Sequence, residues 1–160
     1  MRVLFVCLGN ICRSPSAQGV FEKLLASSEL GSDVAVDSAG TADYHVGKPP
    51  DRRAIAAASR RGVDISTLSA RAVADSDFAE FDLILAADHS NLQELLRRAP
   101  ADCAAKIRLF MSYAPNDGEE IPDPYYGGDQ GFEGVLDMLE RASQGLLASL
   151  GEYSSATTAS

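Results

Sequence analysis

The sequence predicts a single α/β domain, built from a four-stranded parallel sheet with helices on both faces. Short apolar runs alternate along the chain with segments of helical periodicity. The apolar runs are continuous, which is typical of strands that are covered on both faces, and right-handed helical crossovers make such strands parallel. A chain of 160 residues, 46% of them hydrophobic, suits one domain with its own core.

The first predicted strand covers residues 2–7 and ends at the turn-forming pair Gly9-Asn10. A helix is predicted to follow at once, because Ser14 is a suitable cap and Pro15 suits the first helical turn. A strand, a short loop and the start of a helix therefore follow one another within about a dozen residues. We expect a phosphate-binding loop at this junction.

The later elements continue the alternation of strand and helix. Strands are predicted at 34–39, 81–86 and 106–110, and helices at 51–61, 88–98 and 132–150. Residues 40–50 contain two glycines and two prolines and are predicted to form a loop, long enough to suggest a functional one. Residues 154–160 are small and polar, so we expect a domain over 1–153 and a disordered tail over 154–160.

Composition limits the classes of function. A net charge of −9 and a pI near 4.6 argue against a nucleic-acid-binding surface. Three cysteines and two histidines without a metal-binding spacing predict neither a metal nor a cofactor. The chain also lacks an apolar run of signal-peptide or membrane-span length, and its cysteines cannot all pair, so we expect a reduced, cytoplasmic protein.

The segment from Cys7 to Ser14, here called the phosphate loop, carries the most informative pattern. A thiol ends a strand, and Arg13 lies six positions later, where the helix begins. Backbone N–H groups in such a loop and the helix N-terminus favour an anion, while Gly9 and Asn10 tolerate left-handed backbone. Arg13 adds a two-pronged donor for phosphoryl oxygens.

A cysteine at the end of a buried strand is more often only a small core residue. The spacing of one cysteine and one arginine is also a loose pattern by itself. Here the turn-forming residues and Ser14 accompany the pair at the edge of the sheet where ligands bind in open α/β folds. These neighbours favour Cys7 as a nucleophile whose sulfur accepts a hydrogen bond from Ser14.

A phosphate-ester hydrolase also needs a proton donor, for which Asp123 is the candidate. It lies between Pro122 and Pro124 and is followed by two tyrosines that are able to wall a pocket. From the residues alone, a plain surface turn is an equally good interpretation, because Asp-Pro and Gly-Gly are ordinary turn pairs.

Four segments resemble the low-molecular-weight protein tyrosine phosphatases. They are 6–15 (VCLGNICRSP), 37–41 (DSAGT), 47–51 (GKPPD) and 123–127 (DPYYG), in the family's order and within a likeness that covers roughly residues 2–150. The resemblance implies a four-stranded parallel sheet and metal-free hydrolysis of phosphotyrosine and small aryl phosphates through a phosphocysteine. Phosphotyrosine proteins are the implied substrates, and a tyrosine kinase is a possible opposing partner.

The resemblance also implies roles for single residues. Cys7 is the nucleophile, Arg13 the phosphate clamp, and Asp123 first the acid and then the base. Ser38 supports the loop, and Cys12 protects the nucleophile by forming a reversible disulfide after oxidation. The implied substrate-binding residues are Leu8, Gly9, Asn10, Ile11, Cys12, Ser14, Tyr44, Tyr125 and Tyr126.

Some relatives have a supporting histidine in the segment that resembles 66–71, and this chain has none there. Two other functions compete with the phosphatase. An arsenate reductase of the same fold needs a relay of downstream thiols, whereas this chain has only Cys103 there. An inactive phosphotyrosine-binding module is expected to lose the thiol, the arginine or the acid. We expect a monomer or a weak dimer.

Overall fold

The computed structural model describes residues 1–125, 127 and 129–158, without the side chains of 129, 130 and 152–158. The strands are β1 (Arg2–Cys7), β2 (Ala35–Gly40), β3 (Leu83–Ala86) and β4 (Ile107–Leu109). The α-helices are α1 (Arg13–Ala26), α2 (Arg52–Arg60), α3 (Asp77–Glu80), α4 (His89–Arg98) and α5 (Asp129–Thr158). Short 3-10 helices cover Ala101–Lys106, Phe110–Tyr113 and Pro115–Asp117.

The strands form one parallel sheet in the order β2-β1-β3-β4. The predicted four-stranded parallel sheet is therefore confirmed. β1 lies inside the sheet, where Cys7 pairs with Gly40 of β2 and Val6 pairs with Ala86 of β3. The carboxyl ends of three strands thus meet at one edge, which is where open α/β sheets bind ligands.

The two faces of the sheet pack into two apolar cores. On one face Phe5 stacks edge-on against Phe21 of α1 and against Phe110, with ring centroids 5.9 and 4.8 Å apart. On the other face Leu4 belongs to a cluster that includes Leu95 of α4. Alternate β1 side chains are thus buried on opposite faces of the sheet, because helices cover both faces. The continuous apolar strands of the sequence predict this arrangement.

Most of the predicted strands and helices lie within two residues of the observed bounds, and two α-helices differ more. α5 begins at Asp129 and extends to Thr158, beyond the predicted span of 132–150. Small polar residues near its end lack the apolar periodicity on which a helix prediction relies. The helical backbone includes residues 154–158 of the segment predicted to be a disordered tail, while a domain boundary at 153 stays a prediction. α3, which is only four residues long, shows no period in the sequence.

No helix within the described part of the chain has the length and apolar character needed to cross a membrane.

Candidate active site

The phosphate loop connects β1 to α1 and curls back over the end of the sheet. Of the two residues expected to tolerate left-handed backbone, only Asn10 uses it, with φ 58°. Gly9 has a different function, because a Cβ there would lie 2.9 Å from the His45 ring. Gly40 was not identified from the sequence, yet a Cβ there would lie 2.7 Å from the carbonyl oxygen of Leu8. β2 therefore approaches the loop closely because its last residue is glycine.

The Cys7 thiol is buried and hydrogen-bonded to the start of α1. Its Sγ lies 3.1 Å from the Ser14 hydroxyl and 3.4 Å from the Ser14 backbone N–H. Both groups belong to the first turn of the helix, where the partial positive charge of the helix dipole is concentrated. The sulfur therefore lies beside a hydroxyl and an N–H of the first helical turn, at the positive end of the helix dipole.

A buried set of side chains supports the loop from beneath. The Asn10 amide nitrogen donates to the hydroxyls of Ser14, at 2.7 Å, and Ser38, at 3.0 Å. Ser38 in turn donates to Gln18 at 2.7 Å, and the Arg71 backbone N–H donates to the Asn10 amide oxygen at 3.0 Å. Gln18 and the Arg71 main-chain amide thus complete the hydrogen bonding of this network.

Arg13 is also buried, and a carboxylate orients it. Its Nη1 donates to Asp88 at 2.7 Å and to the carbonyl oxygen of Ile121 at 3.0 Å. Burial opposes the positive charge, but Cys7 and Asp88 outweigh that effect and raise the pKa of Arg13 above its ordinary value. The guanidinium is therefore held as a fixed cation beside the thiol.

Asp88 was missed by the sequence prediction as a site residue, because it is also an ordinary helix cap. One of its oxygens accepts from the Asn91 N–H of α4 at 2.8 Å, while the other binds Arg13. The available signal was its position, two residues beyond the end of β3 at the ligand-binding edge of the sheet.

The acid loop, defined here as residues 121–125 and 127, lies opposite the phosphate loop. The Asp123 carboxylate approaches Arg13 Nη2 at 3.6 Å and is 38% exposed. Its other oxygen accepts from the Tyr125 N–H at 3.0 Å, which holds the side chain in a local turn. Asp123 therefore faces the same site as Cys7 and Arg13, although 116 residues of sequence separate it from the cysteine.

These groups surround a cavity of about 100 Å³. Tyr44, His45 and Tyr125 form its aromatic rim, with the His45 and Tyr125 rings tilted against each other at 6.3 Å. His45 was not predicted as a site residue. The other lining residues are Cys7, Leu8, Gly9, Ile11, Cys12, Arg13 and Asp123. Asn10 and Ser14 are buried and support the loop, and the predicted site residue Tyr126 lies outside the described residues.

Cys12 lies inside the loop as a neutral thiol. Burial, together with the negative charges of Asp51, Cys7 and Asp123, raises the pKa of Cys12 to about 12. The two cysteines of the loop therefore differ in their surroundings, because hydrogen-bond donors surround the sulfur of Cys7 while negative groups surround Cys12. Within the described residues, no group of three metal-ligating side chains is placed to hold a metal ion.

The fold and the site together define an α/β protein with a buried cysteine and arginine at the carboxyl edge of its parallel sheet. Residues 2–156 match the family model described as low molecular weight phosphotyrosine protein phosphatase. The human protein of that name is 46% identical over 147 residues, which cover 91% of this chain and 92% of the human one. The chain therefore belongs to the low molecular weight protein tyrosine phosphatases, which are hydrolases.

Solved structures support the same assignment. A protein tyrosine phosphatase from Entamoeba histolytica superposes with a TM-score of 0.93 at 42% identity, covering 96% of this chain and 99% of that one. Wzb from Vibrio vulnificus, solved in complex with benzylphosphonate, superposes with a TM-score of 0.82 at 30% identity. The match covers 92% of this chain and 97% of Wzb.

Proposed function

We propose that this phosphatase hydrolyses phosphotyrosine and small aryl phosphates through a phosphocysteine, with Cys7 as nucleophile, Arg13 as clamp and Asp123 as acid and base. The observation that carries the proposal is the convergence of these three side chains on one small cavity. Each supplies what the others lack, namely an electron pair, a fixed positive charge and a transferable proton.

In the first step the Cys7 thiolate attacks phosphorus in line with the leaving oxygen. A sulfur–phosphorus bond forms as the bond from phosphorus to the tyrosine oxygen breaks, and protonated Asp123 gives its proton to that oxygen. Arg13 and the amides of the phosphate loop bind the remaining phosphoryl oxygens. These donors are already in place, so they stabilise the negative charge of the transition state without reorganisation.

In the second step water replaces the departed tyrosine. Asp123, now ionised, takes a proton from the water while the water oxygen attacks phosphorus. The sulfur–phosphorus bond then breaks and phosphate is released. The Ser14 hydroxyl, 3.1 Å from Cys7 Sγ, stabilises the sulfur as it leaves with its negative charge. Thiolate and protonated acid are thus both regenerated.

The shape of the cavity supports an aromatic substrate. The rim residues Tyr44 and Tyr125 offer ring faces on which a phenyl group can stack, and Tyr44 is 71% exposed. The benzylphosphonate bound by Wzb has the same combination of an aromatic ring and a phosphoryl-like group. We therefore propose phosphotyrosine proteins as the substrates, and a tyrosine kinase as the opposing activity.

Cys12 is proposed to protect the nucleophile from oxidation. Peroxide oxidises the Cys7 thiolate to a sulfenic acid, and the Cys12 thiol condenses with it to form a disulfide and water. A cellular thiol then reduces the disulfide. This chemistry suits a reduced compartment, and we propose a cytoplasmic monomer or weak dimer.

The two competing functions have less support. Cys103 is buried in the core cluster of Leu4 and Leu95, where it cannot relay electrons from an arsenate-binding thiol without local unfolding. A binding module without activity has no need for Asp123 beside Arg13, yet their side chains approach to 3.6 Å.

The test is hydrolysis of para-nitrophenyl phosphate with EDTA and a reductant present, comparing the native chain with Cys7→Ser. We expect the variant to lose essentially all turnover, because a hydroxyl is a far weaker nucleophile at neutral pH. Cys103→Ala is the matched control and should retain activity. Turnover by Cys7→Ser close to the native rate would refute the nucleophile assignment.

A further inference from the structure

Arg53, in the first turn of α2, contacts the main chain of the acid loop. Its Nη2 donates to the Tyr125 carbonyl oxygen at 2.7 Å, and its Nη1 donates to the Gly127 carbonyl oxygen at 3.0 Å. The guanidinium also lies over the rings of Phe132, at 4.8 Å, and Tyr125, at 5.7 Å. The Arg53 side chain thus binds two main-chain carbonyl groups of the acid loop and packs against two aromatic rings.

Asp51 fixes the direction of that side chain. Its carboxylate accepts from Arg53 Nε at 3.1 Å and Nη2 at 3.2 Å, and it also caps α2 by accepting from the Arg53 backbone N–H at 2.8 Å. Partial burial opposes its charge, but the hydrogen bonds from Arg53 dominate and lower the pKa of Asp51 below its ordinary value. The pair is therefore ionised at neutral pH.

The same aspartate is joined to the opposite wall of the cavity. The Asp51 backbone N–H donates to the carbonyl oxygen of Ile11, in the phosphate loop, at 2.8 Å. A continuous path of hydrogen bonds therefore runs from the phosphate loop through Asp51 and Arg53 to Tyr125. Each link is made to the main chain or within an ion pair, so the path ties the positions of the two loops together.

The path ends next to Asp123. The Tyr125 residue that offers its carbonyl to Arg53 also donates its N–H to the Asp123 carboxylate at 3.0 Å. Holding the Tyr125 main chain therefore holds the donor that orients the carboxylate. This restraint has a clear purpose, because Asp123 lies in an exposed loop and proton transfer requires an accurate distance.

We infer that Arg53 is a positioning residue that, together with Asp51, aims the acid loop at the leaving-group oxygen. The inference rests on the proposed acid function of Asp123. The described hydrogen bonds of the Arg53 guanidinium go to Asp51 and to the loop that carries the acid. Its loss should therefore lower kcat/KM, which reports the first chemical step, only for substrates whose leaving group needs a proton.

The test compares Arg53→Gln and Arg53→Lys with the native enzyme on two substrates. Phenyl phosphate has a poor leaving group that needs the acid, whereas 2,4-dinitrophenyl phosphate has a good one that does not. For Arg53→Gln we expect kcat/KM to fall about tenfold on the first substrate and less than about twofold on the second. Arg53→Lys keeps the charge but not the fork and should show a partial loss. Inhibition by inorganic phosphate should be unchanged, because the phosphate loop is intact.

Arg52→Gln is the matched control. It removes the same charge one residue earlier, from an exposed side chain for which no hydrogen bond or ion pair is described among residues 1–125, 127 and 129–158. It should leave both substrates unaffected. If Arg53→Gln unfolds, the lysine variant and its thermal unfolding curve carry the comparison.

A double variant separates this inference from the proposed function. If Arg53 acts through Asp123, then Arg53→Gln combined with Asp123→Asn should be no slower on phenyl phosphate than Asp123→Asn alone. Multiplying losses, or equal losses on both substrates for Arg53→Gln, would overturn the positioning function. If Asp123→Asn itself shows no leaving-group dependence, the proposed acid is wrong, which is a different failure.

Discussion

The two loops that face each other across the cavity are built in opposite ways. In the phosphate loop, Asn10, Arg13 and Ser14 are each at most 3% exposed and hydrogen-bonded through their side chains. In the acid loop, Asp123 and Tyr125 are each 38% exposed. In the proposed mechanism, binding the phosphoryl group and transferring the proton therefore make separate demands on the fold.

The phosphate loop must present its donors before the substrate arrives. Donors already aimed at the developing charge require no reorganisation in the transition state, and burial strengthens their electrostatic effect. In the proposed mechanism Asp123 exchanges protons with water and the cavity admits a tyrosine side chain, so the Asp123 carboxylate cannot be equally buried. Arg53 restrains the acid loop from outside the cavity, which leaves the carboxylate accessible.

The largest effect on activity is expected from a change at a buried residue of the phosphate loop. Arg13→Lys keeps a positive charge but removes the planar fork that binds Asp88 and two phosphoryl oxygens. We expect kcat/KM on para-nitrophenyl phosphate to fall about a thousandfold, and inhibition by inorganic phosphate to weaken as well. Arg108→Lys, at an exposed position of β4, is the control. A loss of less than about tenfold would contradict the clamp assignment.

Changing the acid loop should have a smaller and more selective effect. Asp123→Asn removes the proton donor without changing the size of the side chain. We expect kcat/KM to fall about a hundredfold on phenyl phosphate but only a few-fold on 2,4-dinitrophenyl phosphate, whose leaving group needs no proton. Inhibition by phosphate should change little, in contrast to Arg13→Lys. Equal losses on both substrates would remove Asp123 from the acid function.

The sequence predicted the phosphate loop better than the acid loop for a physical reason. The phosphate loop is local in the sequence. The end of one strand, one turn and the start of one helix supply its thiol and its arginine within residues 7–14. Its chemistry is therefore visible as a short pattern. From the residues alone Asp123 was a candidate acid and equally a turn residue, and family resemblance was needed to favour the acid. Folding brings it within 3.6 Å of Arg13.

The residues that sequence reasoning missed all act over long chain separations. Asp88 binds Arg13 across 75 positions, and Arg53 binds Tyr125 across 72. In the sequence, Asp88 is a helix cap and Arg53 belongs to an amphipathic helix, and both descriptions are locally correct. Such pairings depend on how the elements pack, which no local pattern encodes.

The smallest effect on turnover is expected beneath the phosphate loop, where Asn10 combines a left-handed backbone with hydrogen bonds to Ser14 and Ser38. Asn10→Gly retains the backbone conformation and removes only the amide, whereas Asn10→Ala also introduces strain at φ 58°. We expect Asn10→Gly to lower kcat/KM about fivefold on both phenyl and 2,4-dinitrophenyl phosphate. The phosphate loop is less well ordered in this variant, while Asp123 is unchanged.

Thermal or urea unfolding separates the two contributions at Asn10. Both variants should lower the free energy of unfolding by about 2 kcal/mol through lost buried hydrogen bonds, and Asn10→Ala should lower it by roughly 1 kcal/mol more through strain. The exposed acid loop offers the contrast, since Asp123→Asn should leave the unfolding midpoint nearly unchanged. Equal stability of Asn10→Gly and the native protein would mean that the buried network orders the phosphate loop without stabilising the fold, and that the difference between the two loops lies in accessibility alone.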